Sequence, residues 1–194
     1  MTTRFNGVPL AGAALLFSLA TFFWGNTAAA QSSSESGAIR AEEQLQDVYN
    51  YVLISDRLST GGQIAYDQVS LLKEAGYDLV INLASASEGG NALEGFLVAK
   101  EGLTYINIPV PFSNPPMRDL QMFFDVMEAN RDRKVFVHCA ANMRASAFVY
   151  LYRTLVQNVS DEEALPAMLE IWNPDEVEAW SNLVRTAKER GASR

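Results

Sequence analysis

Three short apolar runs, Leu79-Val80-Ile81-Asn82-Leu83, Thr104-Tyr105-Ile106-Asn107-Ile108 and Val135-Phe136-Val137, recur along the chain with helical spacing between them. Each has strand length; the first and third read as strands covered on both faces, and the second as another β-rich run. Between them apolar residues fall three and four apart, at Val69, Leu71 and Leu72 before Gly76, and at Leu120, Phe123, Phe124 and Met127 within Asp119 to Ala129. Gly76 suits a left-handed helix end, and a second helix from Ala92 to Lys100 stops at Gly102. Leu58 to Gly62 adds a short strand and turn, and Pro109, Pro111, Pro115 and Pro116 force a loop. Ala145 to Val156 reads as an apolar helix, with two more helices near Asp161 to Trp172 and Asp175 to Arg190 on either side of Asn173-Pro174. Strands alternating with helices predict an α/β fold, with a mainly parallel central sheet flanked by helices and extra helices at the C-terminus.

The first thirty residues follow another pattern. Arg4 precedes an uncharged run from Val8 to Trp24 and a small-residue exit at Ala28-Ala29-Ala30. That order predicts a signal peptide over residues 1–30, cleaved after Ala30, and a periplasmic or secreted mature protein. An uncleaved anchor is the alternative, because a run of this length lies at the lower edge of what spans a bilayer. The exit favours cleavage, hence no stable membrane insertion. Residues 31–47 open with the polar stretch Gln31-Ser32-Ser33-Ser34-Glu35-Ser36-Gly37 and predict a flexible leader, leaving 48–194 as a single domain around one core. Without residues 1–30 the chain carries 14 Lys and Arg against 23 Asp and Glu, a charge of −9. Such a surface repels nucleic acid, so an anionic substrate must meet positive potential gathered locally.

The sequence holds one cysteine, Cys139, which is either a buried structural thiol or a reactive one. In α/β sheets ligands bind beyond the carboxyl ends of strands, where helix N-termini present free N–H groups. Cys139 stands there, between the strand Val135–Val137 and the helix starting near Ala145. Helix dipole, loop amides and Arg144 all favour its thiolate. Backbone at Ala140, Ala141, Asn142, Met143, Ala145 and Ser146 would wrap a phosphate or other oxyanion, and Arg144 would add a two-pronged contact. His138, the sole histidine, faces away from Cys139 if the strand alternation continues, which suits an orienting role. One histidine among scattered carboxylates makes no metal site, and no cofactor is expected. Aromatic and methionine positions such as Phe123, Phe124, Met127, Phe148, Tyr150 and Tyr152 repeat at helical spacing and read as core.

The strand ending Val137-His138-Cys139, the small loop, Arg144 and the hydroxyl of Ser146 resemble the signature of protein tyrosine and dual-specificity phosphatases. Upstream, Ser59 to Gln63, Gly76 to Leu83 and Gly102 to Val110 resemble the compact bacterial phosphatase-like branch, so the resemblance spans Val52 to Val156. It implies a dual-specificity-type fold and hydrolysis of phosphate monoesters. Cys139 would attack phosphorus, Arg144 and the loop amides would hold the oxygens, and an Asp would protonate the leaving group.

Two departures stand out. The family spacing places five residues between Cys and Arg, and here Ala140 to Met143 make four. Aligned without a gap, Asn142 takes the usual glycine position and Ala145 that of the Arg. Asn tolerates a left-handed turn best among residues with a Cβ. The loop after Ile108, where the resemblance would place the acid, contains no Asp; Asp119 is the nearest candidate, and it reads more simply as a helix-start cap. The shorter loop also resembles that of rhodanese-type sulfurtransferases, in which the Cys carries a persulfide. A third reading is a non-catalytic anion-binding module.

Overall fold

The computed structural model describes residues 1–2, 24–86 and 91–191. Most of the predicted signal peptide lies outside the described residues; its exit, Ala28–Ala30, falls within helix α1, Trp24–Leu45. The chain divides into two units, Met1–Ser34 and Glu35–Arg194, and the second holds the sheet. The flexible leader expected over 31–47 is helical instead as far as Leu45, and Ala41 and Leu45 are buried in the core together with Val48. The polar Gln31–Gly37 stretch hid this, because the residues that pack appear only at Ala41, Leu45 and Val48, at helical spacing.

Among the described residues five strands form one sheet: β1 (Val52–Ser55), β2 (Leu58–Gly61), β3 (Leu79–Asn82), β4 (Thr104–Asn107) and β5 (Val135–His138). Their spatial order is β1-β2-β5-β3-β4, parallel throughout except for the antiparallel edge pair β1 and β2. The sequence runs anticipated β2 to β5. Edge strand β1 escaped because only Val52 of its four residues is buried.

Two connections are built alike. Helix α2 (Val69–Glu74) ends in a Schellman motif, with Gly76 at φ 82° and the N–H of Tyr77 donating to the Leu72 carbonyl at 2.9 Å. Helix α3 (Glu94–Lys100) ends the same way, with Gly102 at φ 76° and the N–H of Leu103 donating to the Val98 carbonyl at 3.1 Å. Both positive φ values exclude most side chains, which is why glycine marks each turn into β3 and β4.

Alternation along the strands then sorts the core. Leu79, Ile81, Val135, Val137 and Cys139 face one layer, with residues of α4 (Met117–Ala129), α5 (Met143–Leu155), α6 (Asp161–Leu169) and α7 (Glu178–Gly191). Val80 and Phe136 face the other, against residues of α1, α2 and α3. Register places Gly61, His138, Asn82 and Asn107 in one row at the carboxyl edge of the sheet. β5 is the central strand, so the residue after His138 emerges in the middle of that edge. Among the described residues no helix is long and apolar enough to cross a membrane.

Candidate active site

Cys139 leaves the central strand with its N–H on the Gly61 carbonyl at 3.3 Å and its side chain in the layer of Val137, only 1% exposed. His138 points to the opposite layer, its ring stacked on Phe136 with centroids 5.5 Å apart and planes 11° apart. The two neighbours thus serve different layers.

The loop that follows is held by its carbonyls. Ala140 accepts from the N–H of Gln63 at 3.1 Å, and Ala141 accepts from Asn50 Nδ2, also at 3.1 Å. A trans peptide points its N–H opposite to its C=O. With the Ala140 carbonyl drawn to Gln63, the N–H of Ala141 turns to the other side of the loop. Asn142 has φ 63° and is fully buried; its Nδ2 donates to the Asn50 carbonyl at 2.6 Å and to Thr60 Oγ1 at 2.9 Å. The left-handed residue reverses the chain directly into α5.

That helix starts at Met143, two residues before the predicted Ala145. Its first backbone bond runs from the N–H of Ser146 to the Asn142 carbonyl at 2.8 Å, so Met143, Arg144 and Ala145 make up the first turn of the helix. Arg144 therefore lies inside the helix rather than in the loop, 3% exposed, with Nη1 donating to the Val110 carbonyl at 3.0 Å. It ties the start of α5 to the segment after β4. Ser146 Oγ donates back to the Met143 carbonyl at 3.1 Å, a common use of a helical serine. Ala145 is fully buried in the core.

The segment after β4 is pinned further. Trp180 Nε1 donates to the Phe112 carbonyl at 2.8 Å, Trp172 Nε1 donates to the Met143 carbonyl at 2.9 Å, and the Phe112 ring packs against both indoles, which also touch each other. The C-terminal helices thus brace the post-β4 segment and the start of α5 together. Asp119 sits at the third position of α4, its carboxylate 3.3 Å from Arg118 Nε and its N–H on the Pro116 carbonyl at 3.0 Å. The structure shows it as part of the helix start.

Below the loop lies a buried polar group. Glu94, fully buried, meets His138 Nε2 at 2.7 Å and Asn82 Nδ2 at 3.3 Å through Oε1, and Gln63 Nε2 through Oε2. Asn82 Nδ2 also donates to Tyr105 Oη at 2.9 Å, and burial together with the neighbouring Glu94 charge pushes the Tyr105 phenol up to about 12. Sequence reading missed Asn50, Gln63, Glu94, Val110 and Trp172. None carries a local motif; only Gln63, which follows Gly61-Gly62 at the end of β2, had a signal in its position at the carboxyl edge. Among the described residues no group of three or more His, Cys, Asp or Glu is placed to hold a metal.

Residues 39–186 match the family model described as a DSP-PTPase phosphatase fused to NAD+ kinase. Among solved structures the chain is similar to a candidate phosphatase (DUF442) from Shewanella putrefaciens CN-32, at 36% identity and TM-score 0.66, over 76% of this chain and 97% of that one. It also resembles TpbA from P. aeruginosa in complex with pTyr, at 18% identity and TM-score 0.57, over 70% and 83% of the two chains. Tk-PTP in its active form gives 19% identity and TM-score 0.59, over 73% and 97%. No curated protein matches the chain.

Proposed function

Since the chain belongs to the family described as a DSP-PTPase phosphatase fused to NAD+ kinase and is a phosphatase of the cysteine type, we propose that it hydrolyses phosphate monoesters through a phospho-cysteine at Cys139. The observation that carries this assignment is the loop itself. Cys139 emerges at the centre of the sheet's carboxyl edge, inside a loop whose carbonyls at Ala140 and Ala141 are drawn outward and whose end opens the first turn of α5. Phosphate oxygens would receive the amides of that loop and turn, and the helix N-terminus favours their charge. The Cys139 thiolate attacks phosphorus, an S–P bond forms, and the ester oxygen departs with the electron pair of the broken P–O bond. Water then attacks the phosphorus, the S–P bond breaks, and inorganic phosphate and thiolate are released.

Proton delivery to the leaving oxygen is the weak part of this site. Pro109 to Asn114 supplies no carboxylic acid, and the Asp119 carboxylate is paired with Arg118 at 3.3 Å. General-acid catalysis is worth roughly 10²–10⁴-fold. Aryl phosphates, whose leaving oxygens need little protonation, should therefore react better than alkyl phosphates. Arg144 contributes by joining α5 to the Val110 carbonyl, and Lys in its place would lose the planar fork that makes such a contact.

The test compares wild type, Cys139→Ser and Arg144→Lys on an aryl phosphate, an alkyl phosphate, and thiosulfate with cyanide. We expect phosphate release from the aryl ester, lost in Cys139→Ser and reduced in Arg144→Lys. Thiocyanate without phosphate release would move the assignment to sulfur transfer, and silence in all three would leave an anion-binding module.

The same proposal extends to export. The pattern Arg4, Val8 to Trp24, Ala28-Ala29-Ala30 supports cleavage after Ala30, and the family match begins downstream, at residue 39. The mature protein would act in the periplasm or outside the cell without stable membrane insertion, and its charge of −9 argues against nucleic-acid partners. Mass spectrometry of the periplasmic protein should give Gln31 as the first residue. Retention of 1–30 in a membrane fraction would identify an anchor instead.

A further inference from the structure

A fully buried carboxylate is costly unless donors surround it. Glu94 meets that condition in a particular way, because its donors come from both flanks of the nucleophile. On one side His138, the residue before Cys139, approaches Oε1 at 2.7 Å. With a carboxylate as acceptor, Nε2 is the donor, which fixes the orientation of the ring. On the other side Oε2 receives Gln63 Nε2, and the backbone N–H of Gln63 holds the carbonyl of Ala140, the residue after Cys139, at 3.1 Å. One carboxylate thus clasps the chain before and after Cys139.

The clasp has little freedom. Asn82 Nδ2 gives Oε1 a further donor at 3.3 Å, and at Gly95, the next residue, a Cβ would stand 2.9 Å from the Tyr105 ring. The start of α3 is seated directly on Tyr105, so the Glu94 side chain reaches His138 and Gln63 from a fixed base.

We infer that Glu94 is a positioning residue for the phosphate loop: without touching substrate, it holds both flanks of Cys139 through His138 and Gln63. The peptide after Ala140 is thereby kept with its carbonyl on Gln63 and its N–H turned toward the anion. This role rests on the phosphatase reading of Cys139, but its geometry can be tested apart from turnover.

The experiment uses the full chain and three variants, Glu94→Gln, Gln63→Ala, and the exchange Gln63→Glu with Glu94→Gln. The exchange reverses donor and acceptor between the two positions and leaves an amide oxygen facing His138. Readouts are kcat and KM on an aryl phosphate, tungstate affinity by calorimetry, and the thermal melt. Glu94→Gln should lower kcat and tungstate affinity per folded molecule by about tenfold or more, since small misplacements of a reacting group cost this much. Gln63→Ala cuts one arm and should lose affinity in the same direction. The exchange should recover both quantities to within about threefold of wild type, as expected for coupled partners. A merely structural loss would lower the melt and leave affinity per folded molecule unchanged. Wild-type kcat and affinity in folded Glu94→Gln overturn the inference, as does an exchange variant no better than the single one. If Glu94→Gln does not fold, Gln63→Ala with unchanged tungstate affinity overturns it. Absence of Cys139-dependent phosphate release in wild type would defeat the phosphatase reading alone, because tungstate affinity still reports on the clasp.

Discussion

Asn142 stands where the loop turns left-handed, and replacing it separates two effects that the structure superimposes. Its side chain makes two buried hydrogen bonds, to the Asn50 carbonyl at 2.6 Å and to Thr60 Oγ1 at 2.9 Å. Each contributes about 1 kcal/mol net. Its backbone sits at φ 63°, where an alanine Cβ meets strain of roughly 1–2 kcal/mol. Asn142→Ala should therefore destabilise by roughly 3 kcal/mol. Asn142→Gly loses the same two bonds but avoids the strain, at the cost of roughly 0.5–1 kcal/mol of extra unfolded-state freedom. The glycine variant should come out more stable than the alanine variant by roughly 0.5–1 kcal/mol. Urea unfolding of the three proteins measures this, with the m-value checking that the unfolded states are comparable. An alanine variant equal to or more stable than the glycine one would refute the backbone argument. A glycine variant as stable as wild type would refute the contribution assigned to the two bonds.

Gly62→Ala places a Cβ 2.8 Å from the Tyr49 carbonyl and 3.1 Å from the Ala140 carbonyl, both backbone atoms, so the backbone at Tyr49 and the loop after Cys139 must give; tungstate affinity should fall while the far side of the sheet stays intact by amide exchange. Trp172→Phe keeps an aromatic ring against Phe112 but loses the bond to the Met143 carbonyl, and urea unfolding should show a loss of about 1 kcal/mol. Glu42 anchors α1 by accepting from Lys134 Nζ at 2.6 Å and from Tyr51 and Tyr77; burial raises its carboxyl, but these bonds outweigh that and hold it below its usual 4.5. A depressed carboxyl stabilises the fold above its unfolded pKa and loses that contribution as pH falls through the folded value. The stability gap between wild type and Glu42→Gln should thus be full at neutral pH and shrink below about pH 4.5; a gap that stays constant with pH would refute the linkage.

Local chemistry made much of this protein legible before any coordinates. The apolar runs at Leu79–Leu83 and Val135–Val137 gave β3 and β5, because a strand buried on both faces has no polar side to hide it, and the β-rich run Thr104–Ile108 gave the exposed edge strand β4. Gly76 and Gly102 gave the helix ends, since each fills a position at positive φ. Cys139 followed as the residue at a strand's carboxyl end before a helix. The family resemblance of residues Val52 to Val156 rested on the same segments and agrees with the family match over 39–186.

Other features are contacts between distant parts of the chain, and no local pattern encodes them. Asn50 and Asn142 are 92 residues apart, and Gln63 and Glu94 are 31 apart, yet they shape one loop. Arg144 looked like a loop residue aimed at an anion, because spacing alone cannot say where a helix begins. Tertiary packing started α5 two residues earlier and gave part of the guanidinium to the Val110 carbonyl. Glu94 lies within the helix that the sequence predicts from Ala92 to Lys100, and nothing in that pattern marks it as buried. Only the register of β2, β3 and β5, which brings Gly61, Asn82 and His138 into one row, placed that carboxylate beneath Cys139, where hydrogen-bond donors from three strand ends offset the cost of its burial.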